Sequence, residues 1–206
     1  MKLCVIGGGS TYTPELLGGL AEKKAEIPIK EVVLLDIDKE RLRDVGEFAV
    51  RMMANIAPEI EISYTLDRNK ALQDADFVIT QIRVGHQIAR HDDSLFCIQN
   101  GVIGQETTGA AGFAKAMRTI PVLLDYAKDM EKLCPNAWLI NFTNPSGIVT
   151  EALIRFGWEK TIGLCNAPIG MQKGVAHQLG VETLDVQLDY VGLNHLGWVR
   201  KVAVKG

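Results

Sequence analysis

Five residues in from its start the chain reads Val5-Ile6-Gly7-Gly8-Gly9-Ser10-Thr11-Tyr12-Thr13-Pro14. The apolar run Leu3-Cys4-Val5-Ile6 before it predicts a short buried strand, and Pro14 after it opens a helical pattern. A strand, a tight glycine turn and a helix N-terminus in that order make a phosphate-binding site. Glycines let the backbone approach the anion, and the free N–H groups of the first helical turn point at it. A second apolar run, Val32-Val33-Leu34-Leu35, ends on Asp36, an acid placed to hydrogen-bond the ribose of NAD. The third fingerprint glycine is replaced by Tyr12, and the acid lies farther along than the usual interval. Gly7, Gly9, Ser10, Thr11 and Asp36 are therefore the expected cofactor-binding residues, with an ordinary tight turn as the plainer alternative.

Amphipathic helices alternate with these strands. Leu42, Val45, Ala49, Met52 and Ile56 are spaced as one apolar stripe, and Pro58 stops that helix. Short strands are predicted at 60–64, 76–82, 138–142 and 161–164, each returning the chain to the same end of a sheet. Such alternation forces parallel pairing and an α/β, Rossmann-like doubly wound sheet of the lactate/malate dehydrogenase kind. The alternating runs 184–191 and 198–204 begin an α+β part, so the division is residues 1–165 for the nucleotide-binding domain and 166–206 for the start of a metal and substrate domain. Between Arg83 and Gly112 the periodicity fails, which predicts a long substrate loop or lid.

Bulk properties narrow the partners. A net charge of −3 offers no basic tract to displace counterions from nucleic acid. No apolar stretch reaches the ~18 residues of a membrane span. The start enters a strand at once, which leaves no room for a signal peptide, and the four cysteines are scattered without a CxxC pair. Both features fit reduced thiols in a cytoplasmic protein.

Gly7, Asp36, Arg83, Asn144 and Cys165 all fall at the C-terminal end of a predicted strand, the edge where open α/β sheets bind ligands. A thiolate at Cys165 and an imidazole at His195 can hold a divalent transition metal, yet by spacing alone a buried thiol and a hydrogen-bonded histidine explain them as well. Asn144-Pro145 resembles the Asn-Pro element of lactate and malate dehydrogenases, and its tight strand-to-helix turn motivates a cis bond. Arg83 and Arg90 can clamp an anionic substrate with forked donors, or be simply solvated. Glu106 fits either a substrate contact or a partner for a metal ligand.

Taken together, Gly7-Gly8-Gly9-Ser10-Thr11-Tyr12-Thr13-Pro14-Glu15-Leu16, Gln81-Ile82-Arg83-Val84-Gly85, Gly104-Gln105-Glu106-Thr107, Asn141-Phe142-Thr143-Asn144-Pro145-Ser146-Gly147, Cys165-Asn166-Ala167-Pro168 and Gly192-Leu193-Asn194-His195 resemble glycoside hydrolase family 4, most closely its 6-phospho-β-glucosidases. The resemblance implies that Cys165 and His195 bind Mn2+, that Asn144 contacts substrate hydroxyls, and that Arg90 meets the sugar 6-phosphate. Glu106 and Arg83 would lie beside that substrate, and Gly7, Gly9, Ser10, Thr11 and Asp36 would hold NAD. Where the family commonly reads Leu-Asp-Glu after that arginine, this chain reads His91-Asp92-Asp93.

The implied reaction is hydrolysis of a phosphorylated disaccharide or aryl 6-phospho-β-glucoside by oxidation, elimination, addition and reduction, an exception to the usual carboxylate pair. Family members are longer and act as homo-oligomers. Their catalytic base, a tyrosine, would lie beyond residue 206, so no catalytic side chain is assigned within this chain and the 206 residues alone are expected to be inactive. Two other readings remain at this level: an NAD-dependent 2-hydroxy acid dehydrogenase and a non-catalytic NAD-binding module.

Overall fold

The computed structural model describes residues 1–205. Its first strand, β1 (Lys2–Ile6), runs up the middle of a sheet and turns into α1 (Thr13–Glu22). Then come β2 (Glu31–Leu35), α2 (Lys39–Ile56), β3 (Glu61–Thr65), α3 (Arg68–Leu72) and β4 (Phe77–Thr80). The second half continues with α4 (His86–Gln99), α5 (Gly109–Leu133), β5 (Trp138–Asn141), α6 (Ser146–Arg155) and β6 (Thr161–Gly163). Helix α7 (Ala167–Leu179) leads to an antiparallel hairpin of β7 (Val186–Leu193) and β8 (Leu196–Val204).

The six-stranded sheet is parallel throughout and ordered β3-β2-β1-β4-β5-β6. Strand side chains alternate between faces, so each central strand feeds two cores. From β1, Cys4 and Ile6 pack with Leu72, Leu123, Met130 and Leu153 under α3, α5 and α6. Leu3 and Val5 go the other way, joining Leu17, Leu42 and Met53 under α1 and α2. Each fully buried Leu or Ile contributes about 1.5–3 kcal/mol, and only a sheet covered on both faces collects that from every residue of a strand. The order of strands reverses between β1 and β4, which opens the crevice where doubly wound sheets take ligands.

Three expectations need correction. The segment after Arg83 is not a structureless loop: its first half is α4, joined to α5 by the Arg118–Asp93 ion pair. Cys97 is the only buried residue of α4, while Ile88, Leu95, Phe96 and Ile98 stay exposed around it. Only one of its fourteen residues is buried, so α4 carries no apolar stripe and periodicity misses it. In α2 the inward face runs through Leu42, Gly46, Ala49 and Met53, while Ile56 is exposed. Position 46 faces inward so close to β3 that a Cβ there would stand 2.6 Å from the Tyr64 ring, which is why it is glycine. Helix α5 begins earlier than Phe113 and passes through Pro121, an exposed position. Asp38 does cap α2, its carboxylate accepting from the N–H groups of Glu40 and Arg41, and the Asn144–Pro145 bond is cis.

Candidate active site

The glycine turn is held from below by its own neighbours. The N–H groups of Gly7 and Gly8 both donate to the carbonyl of Leu35 at 2.8 Å, clamping the end of β1 to the end of β2. Gly7 has φ +89°, a left-handed value that an L side chain rarely adopts. A Cβ on Gly8 would stand 2.7 Å from Leu34 Cβ, so the turn lies directly on β2. Asp36 Oδ2 accepts from Gly9 N–H at 2.9 Å, and its Oδ1 accepts from the N–H groups of Ile37 and Asp38. The acid therefore shapes the turn itself. Sequence reasoning missed two further braces. Buried Thr13 donates to the carbonyl of Gly8, and the Gln81 side-chain amide donates to both Gly7 O and Thr13 Oγ1. Ser10 lies partly exposed on the turn and Thr11 is exposed.

Past the end of β4 a single carboxylate gathers three cations. Glu106 Oε2 accepts from Arg83 Nη1 and, at 2.7 Å, from Lys115 Nζ, while Arg90 Nε lies 3.6 Å away. Burial by itself would raise the Glu106 carboxyl. The hydrogen bonds and charges of Arg83 and Lys115 outweigh it and bring the group from 4.5 down to about 2. Glu106 is thus a fixed anion that aims arginines. Its partners are cations rather than the Cys165/His195 pair, so the expectation of a partner for a metal ligand is not met. Lys115, only 3% exposed on α5, went unnoticed in the sequence. Burial pushes its ammonium below the usual lysine range, and Arg83 and Arg90 push the same way against the pull of Glu106. The visible signal was a lysine among small residues, Ala114-Lys115-Ala116, on the helix after Glu106.

Two strands farther out, Cys165 follows β6 and His195 occupies the tip of the β7–β8 hairpin. Cys165 Sγ and His195 Nε2 are 3.3 Å apart, and Ala167 N–H, in the first turn of α7, donates to the sulfur at 3.4 Å. Bond lengths of ~2.3 Å for metal–sulfur and ~2.05 Å for metal–nitrogen place two ligands of one zinc-like ion roughly 3.1–3.6 Å apart. The observed separation lies within that span, so the pair fits a shared transition ion. Among the described residues no third His, Cys, Asp or Glu joins them, which leaves coordination positions open for water or substrate. A cavity of about 510 Å³ adjoins the sulfur, lined by Ser146, Thr150, Leu164, Cys165 and Asn194 among others. Asn144 stands half-buried on the cis turn after β5, between the arginine cluster and the sulfur in strand order.

The fold and this edge of the sheet define a doubly wound α/β protein of the Rossmann type. Likeness to malate dehydrogenase from Salinibacter ruber, at TM-score 0.66 and 17% identity over 97% of this chain and 59% of that one, lies in the fold alone. Residues 2–181 match the family described as Family 4 glycosyl hydrolase, and the chain belongs to that family. It is 52% identical, over 95% of its length and 45% of the relative's, to a probable 6-phospho-beta-glucosidase of Bacillus subtilis (strain 168). It is also similar to a structure of the 6-phospho-beta glucosidase from Thermotoga maritima with manganese, NAD+ and glucose-6-phosphate. There the TM-score is 0.92 and the identity 40%, covering 100% of this chain and 50% of that one. The chain spans about half the length of the curated relatives it matches.

Proposed function

We propose that this chain is the NAD- and metal-binding portion of a 6-phospho-β-glucosidase. The observation that carries the reading is the Cys165–His195 pair, standing at the same sheet edge as the glycine cradle. From β1 to β6 is three inter-strand steps of ~4.8 Å, so the two sites are roughly 14 Å apart along the edge, with room between them for a sugar ring. The names of the Bacillus subtilis and Thermotoga maritima relatives support the same reading.

When bound, NAD+ supplies a reversible hydride acceptor, and Mn2+ polarises sugar oxygens and makes a neighbouring C–H acidic. The chain's own residues do the rest. Gly7, Gly9, Ser10 and Thr11, with the N-terminus of α1, receive the pyrophosphate, and Asp36 faces the ribose. Cys165 and His195 hold the metal. Asn144 orients substrate hydroxyls from the turn between the two sites. Arg90 and Arg83 take the sugar 6-phosphate; with Lys115 they leave an excess of positive charge after Glu106 is counted. Glu106, kept ionised, serves as the strut that directs them. Residues 1–165 form the nucleotide-binding part and residues 166–206 begin the metal and substrate part. In support, α7 and the hairpin lie outside the six-stranded sheet. The substrate is a phosphorylated disaccharide or aryl 6-phospho-β-glucoside, and the enzyme works in the cytoplasm as a homo-oligomer. No helix among the described residues is long and apolar enough to cross a membrane, and the four cysteines are free.

The test is hydrolysis of a nitrophenyl 6-phospho-β-glucoside with EDTA, Mn2+ and NAD+ varied independently. A protein of the relatives' full length is expected to need both Mn2+ and NAD+ and to accumulate no NADH. The 206-residue chain is expected to bind both and turn over little or no substrate. Net reduction of NAD+ by a hydroxy acid, or hydrolysis indifferent to both additions, would overturn the reading.

A further inference from the structure

Asn141, the last residue of β5, is completely buried, and its carboxamide is hydrogen-bonded on both sides. Oδ1 accepts from Thr80 Oγ1 at 2.9 Å and from Thr143 N–H at 3.1 Å. The two Nδ2 protons are shared among Thr143 O at 3.2 Å, Ser146 O at 3.3 Å and Thr150 Oγ1 at 3.1 Å. Every donor and acceptor of the amide is used. Only an amide meets the demand: a carboxylate has no proton for the two carbonyls, and a leucine of the same shape would orphan every partner.

Two side chains extend this network to neighbouring strands. Thr143 Oγ1 accepts from Ile82 N–H at 3.0 Å, the residue before Arg83. Ser146 Oγ donates to Leu164 O at 3.1 Å, the residue before Cys165. Asn144 lies between the two links, on the turn that Asn141 closes. The fit is tight enough that a Cβ on Gly163 would collide with Thr150 Oγ1, one of the Asn141 partners.

We propose that Asn141 is a positioning residue that sets the Arg83 end of β4 through Thr143, the Cys165 end of β6 through Ser146, and Asn144 between them. The inference rests on the reading of Arg83 as an anion contact and Cys165 as a metal ligand. It adds that one buried amide keeps the two in register. Where a single link is cut, the strand end it holds shifts, and the ligand that depends on that end binds less well.

The experiment measures affinities of this chain for Mn2+, glucose 6-phosphate and NAD+ by calorimetry. Thr143→Val keeps shape but removes the acceptor for Ile82 N–H. It is expected to weaken glucose 6-phosphate about tenfold, the equivalent of ~1.4 kcal/mol, and to leave Mn2+ affinity unchanged. Thr143→Ser, which keeps the oxygen, restores it. Ser146→Ala is expected to do the reverse, weakening Mn2+ and sparing glucose 6-phosphate. Asn141→Asp weakens both, with NAD+ binding at β1 unmoved; should that variant fail to fold, the two single-link variants decide. Loss of all three affinities in parallel, or no change in any, overturns the proposal while leaving the proposed function standing. A wild-type chain that takes up neither Mn2+ nor glucose 6-phosphate overturns that function and this inference with it.

Discussion

Cys165 Sγ and His195 Nε2 meet at 3.3 Å across 30 positions of sequence. The sulfur reaches its place because β6 ends at Gly163 and α7 starts at Ala167, leaving Cys165 on the short connection at the sheet edge. The imidazole reaches its place because the β7–β8 hairpin turns tightly through Asn194 and His195. There His195 adopts φ +59°, in the left-handed region. Neither side chain would find the other without both connections.

That turn allows a clean removal of the imidazole. His195→Gly keeps a backbone that glycine adopts freely and deletes the ligand. Mn2+ affinity is expected to fall by at least about 100-fold, since loss even of a group supporting a ligand costs 10–100-fold. Calorimetric titration with Mn2+ checks it, and an unchanged affinity would remove His195 from the metal site.

The cluster around Glu106 predicts an asymmetry between its members. Glu106→Gln leaves Lys115 buried beside Arg83 without a counter-charge, and is expected to destabilise the fold by about 3 kcal/mol. Lys115→Met removes the buried cation while Glu106 keeps Arg83, and is expected to cost only about 1 kcal/mol. Urea unfolding midpoints of the two variants compare them directly. Equal losses would mean that Glu106 and Lys115 act only as a pair.

Acid should weaken the same cluster. The Glu106 carboxyl sits at about 2 in the folded chain against an ordinary value of 4.5, so the unfolded chain binds its proton first as pH falls. The stability it contributes is complete above about pH 4.5 and is lost progressively as pH drops toward 2. The difference in unfolding free energy between the wild type and Glu106→Gln should therefore shrink over that window. It should stay constant from there up to pH 7.

Gly7→Ala and Gly8→Ala test the cradle. At Gly7 a side chain would meet both a left-handed φ of +89° and the carbonyl of Gln81 at 2.8 Å; at Gly8 it would strike Leu34. Each variant is expected to lose on the order of 1–3 kcal/mol of stability, by strain or overpacking. NAD+ affinity should fall in both, because the turn must shift away from Gln81 in the first and from β2 in the second. Thermal unfolding and NAD+ fluorescence titration read the two effects separately.

Much of this molecule is local in origin and was legible from the residues alone. The glycine turn, the Asp38 cap, the order of the strands, and the cis Asn144–Pro145 turn each depend on a few neighbouring residues whose dihedral and hydrogen-bonding preferences act at short range. So does the placing of Gly7, Arg83, Asn144 and Cys165 at strand ends, from which a shared sheet edge follows once the sheet is parallel.

Relations between distant segments, by contrast, arise from packing. No periodicity revealed α4, because only Cys97 of it is buried. The small neighbours of Lys115 hinted that it is buried but not that its partner is Glu106, and nothing local disclosed that Asn141 would bind three strand ends together. Desolvation and hydrogen-bond geometry depend on what lies across space, and that is fixed by packing. The sequence alone determined that the chain is a doubly wound α/β fold with its chemistry at one edge. Packing determined which charges are buried, which amide holds the edge together, and that sulfur and imidazole come within reach of one ion.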